Sequence, residues 1–319
     1  MPELPEVTTT VNGLQKVLPG LVFKDVWTDL AKKKTIKQFE NTIKNEKFFK
    51  NFQKKIIGKK ILKVERRAKN ILIHISGGYS ILIHLKMTGH LLFGEYEKVV
   101  SSKQKVVGWK PHKDERRELH DPYNRFIHVV FSFGKGKNLA FCDSRKFGKV
   151  TITKTSDLED SHFKNTGPEP LEKSFTLKEL QERLLLKPKW KIKTTLMDQS
   201  VIAGIGNIYS DEMLWLAGIH PESNPNKVPQ KQMGQLYKAM KLVLLKGIDF
   251  GGDSMSDYRN IDGKRGNFQN EHNVYQKKNE KCGRKGCRGV IIRKVINGRS
   301  AHFCNNHQKL YLSRTKSYI

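Results

Sequence analysis

The first seven residues, MPELPEV, bring together side chains and a terminus that could do chemistry. Pro2 has a small side chain, so the initiator Met1 is a good candidate for removal, which would turn the proline ring nitrogen into a free secondary amine. An α-amino group titrates near ~7.7–8.0, so part of it is neutral and nucleophilic at physiological pH, where lysine is almost fully protonated. Attack by a secondary amine on a sugar or aldehyde carbon gives an iminium that cannot shed its charge by losing a proton. Such a group is a persistent electron sink. Glu3 and Glu6 could supply a proton donor and a second acid or base. The same residues also suit a plainer role, with Pro2 and Pro5 stiffening a terminus and Glu6 in a helix's first turn, where the dipole favours a carboxylate. On six residues alone the plainer role comes first.

Three further constellations carry chemistry. Cys282-x4-Cys287 is followed, after sixteen residues, by Cys304-x2-His307. Two close ligand pairs joined by a hairpin-length spacer suit a tetrahedral zinc, and with all four positions filled the ion is structural. The surrounding EKCGRKGCRG is too polar for a core of free thiols. Cys142 lies in a strand pattern and reads as a small buried hydrophobe. In AGIGNIYSDE, Gly204 and Gly206 allow close backbone approach, the following helix N-terminus offers unpaired N–H groups to an anion, and Asn207 adds an amide donor. A glycine pair alone is weak, and Lys193 alone reads more readily as a solvated charge than as a phosphate clamp. In HLKMTG and CDSRKFG, Met87, Arg145 and Phe147 sit on strand-end turns, from which they could enter a base stack and fill the space left by a flipped nucleotide. Taken singly, Met87 and Phe147 fit packing in the sandwich core better than a place in a base stack.

The elements that must position these groups can be read from pattern. The chain has 319 residues, enough for two domains with cores. Val7, Val11, Leu14 and Leu18 recur at helical spacing. Alternating apolar runs with glycine turns come next in KKILKVERRAKNILIHI, YSILIHLKMTG and RFIHVVFSFGKGKNLAFCDS, which predicts antiparallel hairpins forming a sandwich. Residues 94–124 are long, polar and charged, and read as a mobile surface excursion. A proline-punctuated linker at 164–175 leads to helical segments in TLKELQERLLLK, YSDEMLWLAGI and QKQMGQLYKAMKLVLLKGI, and short strands surround the cysteines. Lys and Arg number 60 against 31 Asp and Glu, a formal charge of +29 spread along the chain, which suits a polyanion, with nucleic acid ahead of an anionic membrane surface. No apolar stretch approaches the ~20 residues of a membrane span, and the acidic start is the reverse of a signal peptide, so a cytoplasmic protein is expected, nucleoid-associated if bacterial.

PELPEV, RRAKNILI, HLKMTG, DSRKFG, GPEPL, AGIGNIYSDE, AGIHP and GRSAHFC, in this order and ending in the cysteine hairpin, resemble the formamidopyrimidine-DNA glycosylase family. The resemblance runs from residue 1 to about 308. It implies an α+β multidomain fold: an N-terminal β-sandwich with flanking helices over 1–163, the linker, a helix-two-turn-helix domain with a lesion-capping loop over 176–272, a zinc finger over 273–308 and a tail over 309–319. DNA would lie in the cleft between. It further implies excision of oxidised purines such as 8-oxoguanine and formamidopyrimidines from damaged double-stranded DNA, with abasic-site lyase activity by β,δ-elimination. One structural zinc, no nucleotide cofactor, no membrane and a monomer complete the expectation.

Residue by residue, the resemblance makes Pro2 the nucleophile at C1′, Glu3 the acid at the deoxyribose ring oxygen and Glu6 the acidic residue closing the opening motif. Lys69 matches a hairpin lysine on phosphate near the lesion. Met87, Arg145 and Phe147 match the void-filling trio, with Lys146 where an arginine is common. Lys193, Asn207 and Arg299 match phosphate binders, and Asp253 to Asn270, with Gly263 and Gly266, falls on a flexible loop over the flipped base. Two departures stand out. The family usually shows C-x2-C twice, whereas this chain has C-x4-C and ends in His307, and the 94–124 insertion is longer than the family needs. The rivals are an endonuclease VIII-like enzyme for oxidised pyrimidines, against which PELPE in place of PEGPE argues, and a non-catalytic nucleic-acid binder, against which Pro2, Glu3, Glu6 and Lys69 argue.

Overall fold

The computed structural model describes residues 1–102, 105–255 and 257–312. The expected tail at 309–319 therefore lies mostly outside the described residues. The chain forms two compact units, one of residues 1–164 with 250–269 and one of residues 165–249 with 270 onward.

The first unit opens with helix α1 (Leu4–Val17), which buries Val7, Val11 and Leu14 at the spacing read from the sequence. Helix α2 (Glu46–Ile56) starts at Asn45, whose side chain accepts the Phe48 N–H. Nine strands make two antiparallel sheets. One has the order β1 (Asp25–Thr28), β7 (Ile127–Gly134), β8 (Lys137–Cys142), β5 (His90–Val100) and β6 (Val106–Pro111). The other runs β2 (Ile61–Arg67), β3 (Asn70–Ile75), β4 (Tyr79–His84) and β9 (Lys149–Lys154). Ile71, Ile73 and Ile75 on β3, Ile81 and Ile83 on β4, and Val129, Phe131 and Phe141 on the facing sheet share one core with α1. Their period of two is the signature of a face turned inward. The two sheets thus close into a β-sandwich.

The 94–124 stretch departs from the expected surface excursion. It extends β5, adds β6 at the sheet edge, and sends Trp109 and Leu119 onto the sheet's outer face, where they bury Leu92, Val130, Ala140 and Cys142 with Tyr96. Its charges obscured this in the sequence, because only a few apolar residues among many polar ones make the contact. Strands covered on both faces lose clean alternation, which is why NLAFC reads as a continuous apolar run.

The second unit packs α3 (Leu177–Leu185), α4 (Ile192–Met197), α5 (Asn207–Ala217) and α6 (Gln230–Asp249) around Leu180, Leu196, Ile202, Tyr209, Met213 and Met240. Thr176 caps α3 by accepting the Glu179 N–H. Strands β10 (Ile291–Ile296) and β11 (Arg299–Cys304) form a hairpin. Two adjacent acids of α5 moor the C-terminal part of this unit to the helix. Glu212 accepts the backbone N–H groups of Asn273, Val274 and Tyr275 at 2.9–3.1 Å, and Asp211 Oδ2 accepts the His302 N–H at 2.9 Å. Among the described residues, no helix is long and apolar enough to cross a membrane.

Candidate active site and zinc centre

The N-terminal turn is built by reciprocal capping. Glu3 is the N-cap of α1 and Glu6 its third helical residue, and each carboxylate takes the other's backbone N–H, that of Glu3 reaching Glu6 Oε2 at 2.7 Å. Both acids are 1% exposed. Pro2 is buried beside them, and Met1 is exposed. The sequence offers Glu6 as a second acid or base. The structure gives it a bracing task, because its other oxygen, Oε1, accepts the Asp253 N–H at 2.7 Å, and its backbone carbonyl accepts from the hydroxyls of Thr10 and Tyr258. Burial raises the Tyr258 phenol well above its ordinary range, so it remains a donor. Glu6 thus braces the turn that carries the Glu3 carboxyl.

Lys69 sits in the turn between β2 and β3, 5% exposed, after Ala68 in the left-handed region at φ 52°. It belongs to a basic wall with Lys86, Lys149 and His84, a set the sequence reading missed beyond Lys69 itself. Burial first, then the charges of Lys86, Lys69 and Lys149, push the His84 imidazole down to about 3. Its Nδ1 accepts the Lys86 N–H at 3.0 Å, leaving Nε2–H as a neutral donor among cations. A cavity of about 230 Å³ opens beside it, bounded by Asn70, His84, Lys149 and His162. The available signal was lysine and histidine falling at the ends of adjacent strands.

Met87, Arg145, Lys146 and Phe147 lie on two turns joined by one carboxylate. Asp143 Oδ1 accepts the Thr88 hydroxyl at 2.5 Å, and its Oδ2 accepts the Gly148 N–H at 2.6 Å. Thr88 in turn accepts the Arg145 N–H at 3.2 Å. Both turns rest on the Phe141 ring. A Cβ at Gly89 would stand 2.7 Å from that ring and one at Gly148 2.3 Å from it, so neither position admits a side chain. Lys44 Nζ donates to the Lys146 carbonyl at 2.6 Å, closing the second turn from behind. The result leaves Arg145, Lys146 and Phe147 exposed and Met87 half-buried, with the Arg145 guanidinium 4.7 Å from the Phe147 ring centre. The structure therefore brings the four together on a rigid base.

In the second unit, Lys193 departs from the expected phosphate binder. It is fully buried, and its ammonium lies 2.5 Å from Asp211 Oδ1 and 3.2 Å from the Asn207 carbonyl and the Ser210 hydroxyl. A buried ammonium needs such partners, and it can act on phosphate only by fixing the start of α5. Asn207 occupies that start, with Nδ2 donating to Ser300 at 3.4 Å, and Arg299 is exposed at the head of β11. Asp211 and Glu212, both in the quoted SDE, were legible as helix residues, but nothing in the sequence marked them as moorings.

The four metal-site residues converge. One ligand atom each from Cys282, Cys287, Cys304 and His307 lies within 4.8 Å of the others, with Cys282 Sγ to His307 Nδ1 at 3.4 Å and Cys287 Sγ to Cys304 Sγ at 3.6 Å. A tetrahedral zinc with bonds of about 2.0–2.3 Å sets its ligand atoms roughly 3.4–3.8 Å apart. The residues fit the ion. His307 Nε2 donates to the Trp215 carbonyl at 3.0 Å, which aims Nδ1 inward, and the Gly289, Asn306 and Trp215 N–H groups reach the sulfurs. Burial holds the His307 imidazole below its usual range, in the neutral form a metal takes.

Comparison with known proteins decides the family. The formamidopyrimidine-DNA glycosylase N-terminal domain matches residues 1–150, and the formamidopyrimidine-DNA glycosylase H2TH domain matches residues 166–259. The chain belongs to the formamidopyrimidine-DNA glycosylase family. A formamidopyrimidine-DNA glycosylase from Pelotomaculum thermopropionicum is 35% identical over 97% of this chain and 100% of its own length. A Lactococcus lactis Fpg variant in complex with Fapy-dG-containing DNA superposes with a TM-score of 0.78, at 31% identity over 97% of this chain and 100% of that one. Wild-type Lactococcus lactis Fpg with DNA containing an oxidised pyrimidine gives 0.77, at 30% identity over the same shares. The fold expected from the resemblance, a sandwich followed by helix-two-turn-helix and a cysteine cluster suited to a zinc finger, is the fold found. As a member of this family the chain is a base-excision DNA glycosylase. Its departures, C-x4-C with His307 and the 94–124 insertion, are accommodated by a complete ligand set and by a paired strand.

Proposed function

We propose that this glycosylase removes oxidised purines from double-stranded DNA and then cuts the abasic site through an amine at Pro2. The observation that carries the reading is the buried N-terminal turn, in which Pro2 adjoins a fixed Glu3 and Glu6 ties both to Asp253. With Met1 removed, the Pro2 nitrogen attacks C1′ of a flipped nucleotide, the damaged base leaves with the glycosidic electron pair and takes up the amine's proton, and Glu3 protonates the deoxyribose oxygen as the C1′–O4′ bond breaks, opening the ring to the iminium. The iminium draws electrons from C2′. Loss of a C2′ proton expels the 3′ phosphate, a second elimination expels the 5′ phosphate, and hydrolysis frees the amine. Lys69, Asn207 and Arg299 hold phosphates, Lys193 positions Asn207, and Met87, Arg145 and Phe147 with Lys146 occupy the gap in the stack. Cys282, Cys287, Cys304 and His307 hold one zinc that shapes the finger and takes no part in these steps. The enzyme acts as a monomer, in the cytoplasm and on the nucleoid of a bacterial cell, and needs no nucleotide cofactor.

The domain plan goes with this reading except at the loop: sandwich over 1–163, linker to 175, helix-two-turn-helix and finger to 308, with residues 250–269, expected in the helical domain, belonging instead to the sandwich unit. The neighbour bound to Fapy-dG DNA supports the purine reading, and the one bound to an oxidised pyrimidine makes that lesion the necessary competitor.

The test is borohydride trapping on duplexes holding 8-oxoguanine, thymine glycol or a preformed abasic site. Adducts on the first and third are expected. Glu3→Gln keeps size and hydrogen bonding but removes the acid, so excision of 8-oxoguanine should fall by roughly 10² to 10⁴ while the abasic duplex still traps. Efficient trapping by protein that retains Met1, whose Pro2 nitrogen is an amide, would overturn the assignment of the nucleophile.

A further inference from the structure

The insertion in the sandwich meets the 250–269 segment at residues 259–264. Arg259 is only 2% exposed, and its guanidinium donates to the Tyr258 carbonyl at 2.9 Å and to Asp121 Oδ2 at 3.3–3.4 Å, lying 4.8 Å from the Tyr123 ring centre. Asp121 is itself oriented, because its other oxygen accepts the Tyr123 N–H at 2.8 Å. Arg116, on the insertion, reaches Asp262 Oδ1 of the segment at 3.1 Å and the Phe93 carbonyl of β5. The Phe93 N–H donates to the Ile261 carbonyl at 2.8 Å, and Ile261 enters the main core against Gly13. Gly263, at φ 81°, lies so near the Glu118 backbone that a Cβ would stand 2.6 Å from its carbonyl oxygen. This is backbone-on-backbone fit, made by a stretch anchored through buried Leu119 and Trp109.

The other edge of the same segment touches the chemistry. Asp253 N–H is held by Glu6, the Tyr258 hydroxyl by the Glu6 carbonyl, and Asp257 Oδ1 accepts the Ser144 hydroxyl at 3.1 Å, next to Arg145. The two edges are connected internally. The Tyr258 carbonyl accepts from both Arg259 and the Ser254 hydroxyl, and Ser254 accepts the Gly266 N–H at 2.8 Å.

We propose that residues 112–125 of the insertion form a brace that holds the 250–269 segment against the Glu6 turn and the Arg145 turn, with Arg259 on Asp121 as the positioning residue for base excision. The proposal rests on the glycosylase reading above. A base must be gripped in a fixed pose before its bond breaks, whereas an abasic site carries no base to grip, so the brace acts on the first half of the reaction. Misplacement of a gripping segment by about 1 Å costs up to about 10²-fold in rate.

The experiment uses the full chain with Asp121→Asn and Arg259→Lys, which keep volume and, at 259, charge, and with Asp121→Glu as the conservative control. Single-turnover excision of 8-oxoguanine, trapping on a preformed abasic duplex and amide exchange are measured together. Excision should fall between about 10- and 100-fold in both variants, with trapping within about twofold and the control close to the parent. Exchange should quicken at 253–268 and stay unchanged in β3 and β8. Excision and trapping lost in equal measure, or exchange at 253–268 unaltered in both variants, would overturn the brace. If the parent protein excises no 8-oxoguanine, the purine reading has failed instead, and the exchange arm still decides whether the brace exists.

Discussion

Glu6→Gln tests the division of labour at the N-terminus most directly. Its carboxylate accepts two backbone N–H groups, from Glu3 and Asp253, each at 2.7 Å and both shielded from water. Glutamine retains one acceptor oxygen and presents an NH₂ group where the second was, so one amide keeps its bond and the other faces a donor. A hydrogen bond to a charged group contributes about 1.5–3 kcal/mol, and for a unit of this size each kcal/mol is worth about 2–4 °C in Tm. The variant should therefore melt about 3–12 °C lower. Because the side chain pivots toward one partner, amide exchange will report which is released: Asp253 if the helix cap wins, Glu3 if the 250–269 segment wins. Thermal unfolding, exchange at these two amides and single-turnover excision form the assay set. An unchanged Tm with abolished chemistry would refute the reasoning, since Glu6 would then be serving as an acid or base and not as a brace.

Three other outcomes are expected. Cys304→Ala should lose the metal and the order of the finger, and with it DNA affinity through Arg299, while His307→Cys should retain one zinc per chain by elemental analysis; equal metal content in Cys304→Ala and the parent would place the ion elsewhere. Lys193→Met leaves Asp211 buried without its cation and should cost about 3–5 kcal/mol of stability, whereas Arg299→Ala should lower the slope of log affinity against log salt by about one unit with stability little changed; a lowered slope at fixed stability in Lys193→Met would contradict its burial. Burial pushes the Lys44 ammonium down to about 8, against the attraction of Asp143, so between about pH 8 and the unfolded value of 10.5 the unfolded chain holds more protons than the fold and stability gains up to about 1.4 kcal/mol per pH unit, with the penalty fully present below pH 8. Lys44→Met should remove that rise in a melting series from pH 7 to 10, and parallel curves for the two proteins would exclude the burial argument.

Much of this was legible in the sequence because it is local. Helix α1, the hairpins of the sandwich, the three long helices and the four metal ligands each announce themselves by period or spacing within twenty residues or so. What escaped depends on distant pairing. Nothing within CDSRKFG says that Asp143 reaches Thr88, which lies in another turn, and nothing near Lys193 says that its partner is Asp211. The insertion was misread for the same reason: Trp109 and Leu119 are sparse among charges, and only the outer face of a sheet formed elsewhere makes them core. Glu6 fits either acid or brace on type alone, and its bond from Asp253 comes from the far end of the chain, where no local pattern points to it.

The Phe141 ring under Gly89 and Gly148 limits how this protein can change with time. The two turns meet the ring with no room for one added carbon, and both oxygens of Asp143 are committed, so the frame has no latitude for substitution. Latitude is confined to the exposed tips. At 146 the lysine's backbone is already set at φ 55° by the frame. Drift, or deliberate engineering, can therefore retune what these turns present one tip at a time, without relearning how to present it.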